Sequence, residues 1–544
     1  MIFKKADLND LDALTEVLSS NTDLSCENTP ANIILWSDVY DSKFCIENGV
    51  FYQKFGENSS EIFSLPLCTD IKYGVERIKN YCLANGLLPK FWAADGKLLE
   101  EFKKKYYENE YDIYEVTDTF EYIYNKTDLA ELKGKKYHSK RNFISSFTKK
   151  YNWIYEDITN KNKDEVIALS DEWYSKNESK HSKTLSYEKE AIKVLLNNLD
   201  KFSAVGGIIR VDGRPVAFSL ATKINERCYD VNFEKALPEF SSAYTVINNE
   251  LAKRLNCELI NREDDLGLEG LRRAKLSYHP TVLLKKYICM PKWVRDEAIK
   301  LHLSAFPKDT VQDAEIIFNR LYPQNYYYKL MDGRIVSQMF VIDGSYASFN
   351  TGYIYAAATH KEYRGNGYMS ALIKQIKEEF DILSLKPASE SLYDFYARIG
   401  FTTLLFANNI SGSDNSTETI KPIRIENLEQ FKSVRQTLQP ENSIKLNSTA
   451  CELAMDLYSA VCDDLQDPNY FALYYVEDDR LIISELLSLS EEVLNFVISV
   501  CRLENINKYE VRLPGFEKKD GMIFFDSTVE NELPENLYLG ITFE

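Results

Sequence analysis

Two glycines separated by one residue lie between a β-rich run and a helical pattern, in the stretch YIYAAATHKEYRGNGYMSALI at residues 353–373. Backbone amides at a helix N-terminus, with the helix dipole behind them, bind phosphate oxygens, and glycine lets the backbone approach an anion closely. The stretch therefore predicts a pyrophosphate site. Glycines also make tight strand-to-helix connections that bind nothing, so the turn alone leaves both interpretations open.

A second candidate site is a polar cluster that follows an apolar run ending at Ile260. Its members are Asn261, Arg262, Glu263, Asp264 and Asp265, with Arg272 and Lys275 close behind. Crowded carboxylates raise the pKa of at least one of them, which suits a group that holds an ammonium ion or accepts a proton from an attacking amine. The basic residues balance the charge and are candidates to meet a terminal phosphate. An internal ion-pair network between a strand and a helix uses the same residue types, so both interpretations stand.

A third candidate is the most basic run of the chain, at residues 133–150. Its possible ligand-binding residues are Lys136, His138, Arg141 and Asn142, among further lysines. Such a run can hold a phosphate backbone or contact an anionic lipid surface. The alternative is a solvated helix face without a ligand.

The composition limits the kinds of function. The formal net charge of -18 argues against nonspecific coating of nucleic acid, so no DNA partner is expected. The ten cysteines show no Cys-x-x-Cys pair, so neither a disulfide framework nor a zinc site is predicted from their spacing. The N-terminus carries acidic residues where a signal peptide needs an apolar core, and no run approaches the roughly 20 apolar residues of a membrane span. We expect a cytoplasmic protein for which membrane contact is not indicated.

The elements that must position these residues follow a recurring pattern. An alternating apolar run, a tight polar turn and a returning apolar run predict β-hairpins at residues 204–222, 326–342 and 470–488, with a weaker one at 49–67. Helical patterns flank each hairpin, which favours one unit used four times. The predicted units are 1–130, 131–290, 291–410 and 420–544, and residues 408–422 have the composition of a linker.

Residues 295–401 resemble the GCN5-related N-acetyltransferase (GNAT) family. The resemblance implies that the glycine turn holds the pyrophosphate of acetyl-CoA. The implied binding residues are Ala356, Ala358, Arg364, Gly365, Asn366, Gly367, Tyr368 and Met369, where Met369 replaces the usual small residue. In SESLYDFYARIGF at 389–401, it implies that Tyr396 protonates the departing CoA thiolate.

The general base of this domain is left open by the sequence. Tyr353, Tyr355 and a water molecule are the alternatives on the strand at 353–359. Resemblance to acetyltransferases with a degenerate second copy implies a terminal carboxylate, here Glu544.

Residues 1–290 resemble the C-terminal domain family of phosphatidylglycerol lysyltransferases. The stretches that carry the resemblance are ENTPANIILWSDVY at 27–40, LKGKKYHSKRNFISSF at 132–147, FEKALPEFSSAYTVINNELA at 233–252 and INREDDLGLEGLRRAKLSYHP at 260–280. The resemblance implies a tandem pair of acetyltransferase-like folds and transfer of an aminoacyl group from aminoacyl-tRNA. Together the two resemblances predict an α/β (α+β) fold with four GNAT-like mixed β-sheet units, arranged as two tandem pairs.

Three functions remain open at this stage. The first is a two-module acyltransferase, in which the C-terminal half transfers acetyl from acetyl-CoA to an amine acceptor. In this reading the N-terminal half transfers an aminoacyl group, and Glu263, Asp264 and Asp265 are its candidate catalytic residues. In the second, only the C-terminal half is catalytic and the N-terminal half selects the substrate. The third is a sensor that binds CoA or an aminoacyl end and transfers nothing.

Overall fold

The computed structural model describes residues 1–19, 21–56, 61–107, 109–176, 183–413, 420–515, 517–525, 529, 533–534 and 537–543. The chain divides into two compact units, Met1–Trp293 and Val294–Glu544. We call them unit 1 and unit 2. Glu544, the terminal residue considered above as a base, lies outside the described residues. Within the described ranges, no helix combines the length and the apolar composition that crossing a bilayer requires.

Unit 1 contains two sheets. Its strands are β1 (Lys43–Glu47), β2 (Val50–Phe55), β3 (Ile62–Ser64), β4 (Phe91–Ala94), β5 (Tyr111–Glu115), β6 (Glu121–Asn125), β7 (Trp153–Asp157), β8 (Val205–Val211), β9 (Arg214–Asn225), β10 (Cys228–Ala236), β11 (Leu259–Asn261), β12 (Val282–Leu284) and β13 (Lys286–Pro291). Its helices are α1 (Leu11–Leu18), α2 (Pro30–Leu35), α3 (Ile71–Asn85), α4 (Lys97–Phe102), α5 (Lys126–Glu131), α6 (His138–Lys150), α7 (Lys163–Ser175), α8 (Lys183–Asn197), α9 (Leu199–Phe202), α10 (Ala243–Arg254) and α11 (Glu269–Leu276).

The two sheets of unit 1 are not formed by two consecutive stretches of chain. The first sheet has the order β1-β2-β3-β4-β13-β5, and the second has the order β12-β6-β11-β10-β9-β8-β7. Strand β13, which comes last in sequence, lies between β4 and β5 and is antiparallel to both. The sequence gives no sign of this exchange, because a strand's partner depends on tertiary packing rather than on its own pattern.

Unit 2 contains one 12-stranded sheet. Its strands are β14 (Tyr326–Met331), β15 (Arg334–Tyr346), β16 (Phe349–Thr359), β17 (Ile382–Leu385), β18 (Thr402–Ser413), β19 (Ile423–Arg424), β20 (Lys445–Leu446), β21 (Ser459–Cys462), β22 (Tyr470–Glu477), β23 (Arg480–Ser488), β24 (Lys508–Pro514) and β25 (Lys518–Phe525). Its helices are α12 (Lys292–Ala305), α13 (Val311–Leu321), α14 (Tyr368–Ile376), α15 (Glu390–Arg398), α16 (Leu428–Leu438), α17 (Ser448–Leu457) and α18 (Leu494–Leu503).

The predicted hairpins are confirmed, and their turns explain why they form. β8–β9, β14–β15 and β22–β23 are antiparallel pairs. Their two-residue turns are Asp212-Gly213, Asp332-Gly333 and Asp478-Asp479, and all six residues have positive φ. Positive φ at both turn positions is the conformation of the type I′ hairpin turn, which glycine, asparagine and aspartate adopt most readily.

The prediction of a linker at residues 408–422 is wrong in its first part. Residues 408–413 belong to β18, which pairs with β24 in a continuous antiparallel register from Ala407↔Pro514 to Ser413↔Lys508. Asparagine, serine and glycine favour loops when they stand alone, but the neighbouring strands here supply a full ladder of backbone partners. Residues 414–419 lie outside the described residues.

Candidate functional sites

Two parallel strands of unit 1 separate after a short pairing, and we call the region between them the cleft. β10 and β11 are neighbours over three residue pairs, the last of which is Asp230↔Asn261. Beyond that pair β10 continues along β9, whereas the chain after β11 turns toward β6. The Arg262 amide donates to the Tyr122 carbonyl at 3.0 Å, and the Tyr122 amide donates to the Glu263 carbonyl at 3.1 Å. The polar cluster predicted from the sequence therefore follows the point of separation directly.

The segment before α2 forms another wall of this cleft. Thr29 caps α2 by accepting a hydrogen bond from the Asn32 amide at 3.1 Å, and Pro30 occupies the first helical position, where its missing N–H costs nothing. This places the Asn32 side chain against Asp230 and Glu263, to which its amide nitrogen donates at 2.9 and 3.3 Å. Three segments distant in sequence thus meet at the cleft floor.

The acidic residues of the predicted cluster fall into two groups. Asp265 is 1% exposed and forms an ion pair with Arg272, at 2.7 Å between Oδ2 and Nε, and also accepts from the Tyr122 hydroxyl. Burial would raise the pKa of Asp265, but the Arg272 guanidinium and the Tyr122 hydroxyl lower it. Asp265 and Arg272 therefore act as the strand-to-helix network that the sequence left open, and Arg272 also bonds to Asp118 at 2.7 Å.

Glu263 and Asp264 differ from Asp265 because no described residue forms an ion pair with either side chain. Burial and the nearby Asp230 carboxylate raise the pKa of Glu263. Burial raises the pKa of Asp264 to about 6. Burial, followed by the negative charge of Glu121, raises the pKa of Asp230 to about 8. Perturbed carboxyl groups in a cleft are typical of sites that bind a cation or transfer a proton.

The basic residues of the cluster are hydrogen-bonded within the protein. Arg262 donates to Glu234 at 2.8 Å across the cleft, and its guanidinium lies 5.1 Å from the centre of the Tyr278 ring. Lys275 donates to the backbone carbonyls of Arg262, at 2.6 Å, and of Asp264. Both side chains are thus bonded to residues beside the cleft. That they bind a terminal phosphate of the substrate stays a prediction.

The sequence did not identify the buried ion pairs beneath this cleft. The Lys286 ammonium, at the start of β13, is fully buried and lies 2.5 Å from Glu121 and 2.8 Å from Glu27. Burial would raise the pKa of Glu121, but the Lys286 ammonium lowers it. Glu121 Oε2 also accepts from the Asn261 side chain at 2.5 Å. The sequence does contain a signal for the neighbouring residues Asp230 and Asn232. They alternate with apolar residues in β10, and this alternation predicts two polar side chains on one face of a buried strand.

The predicted basic run forms a turn and α6, and most of its named residues have partners within the run. Arg141 Nη1 donates to the carbonyls of Leu132, at 2.5 Å, and Gly134, at 2.7 Å. Lys136 pairs with Asp128 at 3.3 Å. His138 and Asn142 lie one turn apart on the exposed face, 3.4 Å from each other. These contacts support the structural interpretation for Arg141 and leave an exposed polar face on α6.

A corresponding separation of parallel strands occurs in unit 2. β16 and β17 pair from Thr351↔Ile382 to Ile354↔Leu385 and then part. β16 pairs with β15 along its whole length, and a bulge in that pairing sets Ala356 and Ala357 opposite Met339. Ala356 has a φ of 50°, as part of this bulge. The free edge of β16 therefore presents backbone groups that can bond an extended ligand, with Ala358 buried on the strand behind them.

The glycine turn follows this free edge directly. Gly365 and Gly367 have φ of 83° and 77°, and a Cβ added at either would meet no atom within 4 Å. Gly367 is the N-cap of α14, and the turn is held by Arg364, whose Nε donates to the Thr359 carbonyl at 3.1 Å, and by Asn366, whose side chain donates to the Tyr363 carbonyl at 3.1 Å. Tyr368 begins the helix. Open amides at a helix N-terminus form an anion-binding geometry.

Tyr396 lies on α15 and packs into the same core as the glycine-turn helix. Its side chain is 7% exposed and contacts the rings of Phe395 and Phe401, with centroids at 5.0 and 5.8 Å. Met369 of α14 packs on the same core cluster, so the large residue at this position is accommodated. Burial raises the pKa of Tyr396 to about 12, which keeps the phenol protonated at neutral pH.

The two tyrosines considered as bases are poorly suited to that role. Burial raises the pKa of Tyr353, and it also raises that of Tyr355. Both rings pack against Phe543, with centroids at 6.2 and 5.4 Å. A phenol with a raised pKa stays protonated at neutral pH, so almost no phenolate is present to accept a proton, and water remains of the three alternatives on this strand.

Comparison with known proteins assigns the two parts of the chain to different families. The family described as phosphatidylglycerol lysyltransferase, C-terminal, matches residues 22–290, and an acetyltransferase (GNAT) domain matches residues 293–404. An uncharacterized protein of Mycoplasmoides gallisepticum is 27% identical over 269 residues, which cover 47% of this chain and 79% of that protein.

Two solved structures are also similar. A conserved protein of unknown function from Bacteroides thetaiotaomicron VPI-5482 is 31% identical, and the match covers 54% of this chain and 100% of that chain with a TM-score of 0.50. L-PGS from Bacillus licheniformis is 16% identical, and the match covers 54% of this chain and 94% of that chain with a TM-score of 0.39.

Proposed function

Because residues 22–290 belong to the phosphatidylglycerol lysyltransferase C-terminal family and residues 293–404 form a GNAT acetyltransferase domain, the chain is an acyltransferase, and we propose that unit 2 transfers acetyl from acetyl-CoA to an amine. The observation that carries this proposal is the continuous path from the free edge of β16 to the glycine turn and the N-terminus of α14. An amide-containing chain bonds to the strand edge, and a pyrophosphate fits the turn.

In this reaction the protein positions the thioester and the amine and donates one proton to the departing thiolate. The amine nitrogen attacks the carbonyl carbon of the thioester, so that an N–C bond forms and the C–S bond breaks. Tyr396 donates its hydroxyl proton to the departing thiolate, a role that needs a phenol still protonated at neutral pH. The proton of the attacking amine leaves to water.

Gly367→Trp is expected to weaken acetyl-CoA binding by ~100-fold or more, because the indole occupies the space where the pyrophosphate would sit and the positive φ suits a side chain poorly. Isothermal titration calorimetry measures the affinity. Gly333→Trp is the matched control, since Gly333 also has positive φ, at 73°, and open space around it, in the β14–β15 turn. Equal affinities in the two variants would place the binding site elsewhere.

A protein that binds acetyl-CoA but releases no free thiol with a broad panel of amines would be a sensor.

For unit 1 we propose aminoacyl transfer, with aminoacyl-tRNA as the donor, on the support of its family and of the cleft. The cleft carries an excess of acidic groups, and Asp264 stands in it without an ion-pair partner among the described residues. An ammonium group, which every aminoacyl ester carries, is the ligand that such a carboxylate favours. The exposed face of α6, with Lys149 and Lys150, offers positive charge to a phosphate backbone.

Asp264→Asn is expected to weaken the binding of an aminoacyl ester by roughly 10- to 100-fold, the usual worth of a charge-assisted hydrogen bond. Lysine methyl ester and alanine methyl ester serve as probes in calorimetry. The melting temperature should change little, because the Asp264 carboxylate holds no other side chain. Asp118→Asn, which removes an exposed carboxylate bonded to Arg272, is the control. Unchanged affinity in Asp264→Asn, or an equal loss in both variants, would count against this site.

A further inference from the structure

One thiol and two carboxyl groups meet at the floor of the unit 1 cleft. Cys26 lies in a short turn before α2, Asp230 on β10 and Glu263 just after β11. The Cys26 sulfur, one carboxylate oxygen of Asp230 and one of Glu263 all lie within 4.8 Å of one another. Cys26 is 8% exposed and Asp230 is fully buried, whereas Glu263 is partly exposed.

The neighbouring cations do not neutralise this cluster. The Lys286 ammonium contacts Glu121, Glu27 and Ser25, the last at 2.6 Å. The Lys275 ammonium is bonded to two backbone carbonyls. Neither lysine forms an ion pair with Asp230 or Glu263 within the described part of the chain. Two ionised carboxylates buried side by side without a cation are costly, and either a proton shared between them or a bound cation removes that cost.

The Asp230 carboxylate is held in one orientation with one oxygen left over. Oδ2 accepts from the side-chain amides of Asn32 and Asn232, both at 2.9 Å. Asn232 in turn donates to the Asn32 oxygen at 2.9 Å and accepts from Thr222 at 3.0 Å, so both amides are fixed. Oδ1 is buried and accepts no hydrogen bond from an amide, hydroxyl or ammonium group of any described residue. The Glu263 carboxyl can donate to Asp230 only while it is protonated. Once both groups are ionised, the buried oxygen needs another ligand, because its uncompensated desolvation costs several kcal/mol.

We propose that Cys26, Asp230 and Glu263 bind one divalent metal ion of borderline softness, of which Zn²⁺ is the representative. A thiolate together with carboxylate oxygens suits Zn²⁺, whereas Mg²⁺ and Ca²⁺ take oxygen ligands alone. Three protein ligands leave a coordination position open to the cleft, as in sites where the metal contacts a substrate. Binding requires Cys26 to lose its proton, and the metal holds the thiolate. This inference does not depend on the proposed transfer reactions.

The test uses the full-length chain after treatment with a chelator. Zn²⁺ is titrated by calorimetry, and Co²⁺ is titrated while the thiolate-to-cobalt charge-transfer absorption is recorded. One Co²⁺ per chain with that absorption is the expected result. Cys26→Ser should abolish the absorption and weaken Zn²⁺ binding by ~100-fold or more. Cys228→Ser is the matched control, because Cys228 is a buried thiol on the same strand as Asp230 and lies outside the cluster.

Asp230→Asn and Glu263→Gln test the two carboxylates. The amide oxygen that Asp230→Asn introduces can still accept from Asn32 and Asn232, so the fold should persist, which near-ultraviolet circular dichroism checks. Either variant should lose Zn²⁺ binding, and Glu263→Gln decides the matter if the buried substitution fails to fold. Absence of stoichiometric binding by the wild type overturns the proposal. Binding that survives in Cys26→Ser, or that Cys228→Ser removes equally, also overturns it.

Discussion

Tyr396→Phe is expected to lower kcat for acetyl transfer by ~10²- to 10⁴-fold, the usual contribution of general acid catalysis, with the affinity for acetyl-CoA nearly unchanged. The hydroxyl acts only as the thiolate leaves, so its removal affects the transition state more than the bound donor. The phenyl ring keeps the packing against Phe395 and Phe401. Thiol release with an accepted amine measures kcat, and calorimetry measures the affinity.

The matched control is Tyr393→Phe, one turn earlier on α15 and partly buried in the same cluster. It should keep wild-type kcat. If Tyr396→Phe retained wild-type turnover, or if the two variants lost turnover equally, Tyr396 would not be the acid.

Lys286→Met is expected to destabilise unit 1 by ~3–5 kcal/mol, the usual cost of removing one partner from a buried ion pair. The substitution leaves the Glu121 carboxylate, whose side chain is 3% exposed, without its cation. Urea unfolding followed by tryptophan fluorescence measures the change mainly in unit 1. Four of the five tryptophans, Trp36, Trp92, Trp153 and Trp173, lie within that unit, and the fifth, Trp293, is its last residue and lies on α12, the first helix of unit 2.

Lys285→Met is the control for that experiment. Lys285 forms an ion pair with Glu115 at 2.6 Å, but both side chains are more than 40% exposed, so its loss should cost ~0–1 kcal/mol.

The destabilisation caused by Lys286→Met is expected to depend on pH. In Lys286→Met, Glu121 loses the cation that lowers its pKa, so burial raises that pKa, and protonation at lower pH removes the uncompensated charge. The destabilisation relative to wild type should therefore shrink as the pH falls. A cost equal to that of Lys285→Met would contradict the expectation that the substitution leaves Glu121 as an uncompensated buried charge.

The parts of the fold that the sequence predicted correctly are local. The Asp212-Gly213 and Asp332-Gly333 turns gave two hairpins because their backbone conformation is encoded in the turn residues themselves. The strand, glycine turn and helix around Gly367 were predictable for the same reason. The bulge at Ala356 was not, since nothing in an alanine run marks where a neighbouring strand departs.

The parts that the sequence could not predict depend on contacts between distant segments. Cys26, Asp230 and Glu263 come together only because α2, β10 and β11 converge, so no spacing rule for metal ligands could have found them. Asp264 and Asp265 are adjacent carboxylates of similar type, yet one pairs with Arg272 and the other does not. Whether each aspartate forms an ion pair depends on the direction of its side chain after β11 ends, and the residue type alone does not determine that direction.

The place of β13 between β4 and β5 has a consequence for how unit 1 is made. On a ribosome, β4 and β5 emerge long before β13, and at the usual rate of synthesis roughly 10–35 s separate Glu115 from Pro291. Throughout that interval the first sheet lacks an inner strand, and the edges of β4 and β5 are open to pairing with other chains. Fragments that stop near residue 130 would carry the same open edges permanently. We therefore expect the yield on expression to rise when chaperones that cover exposed strand edges are supplied together with the chain.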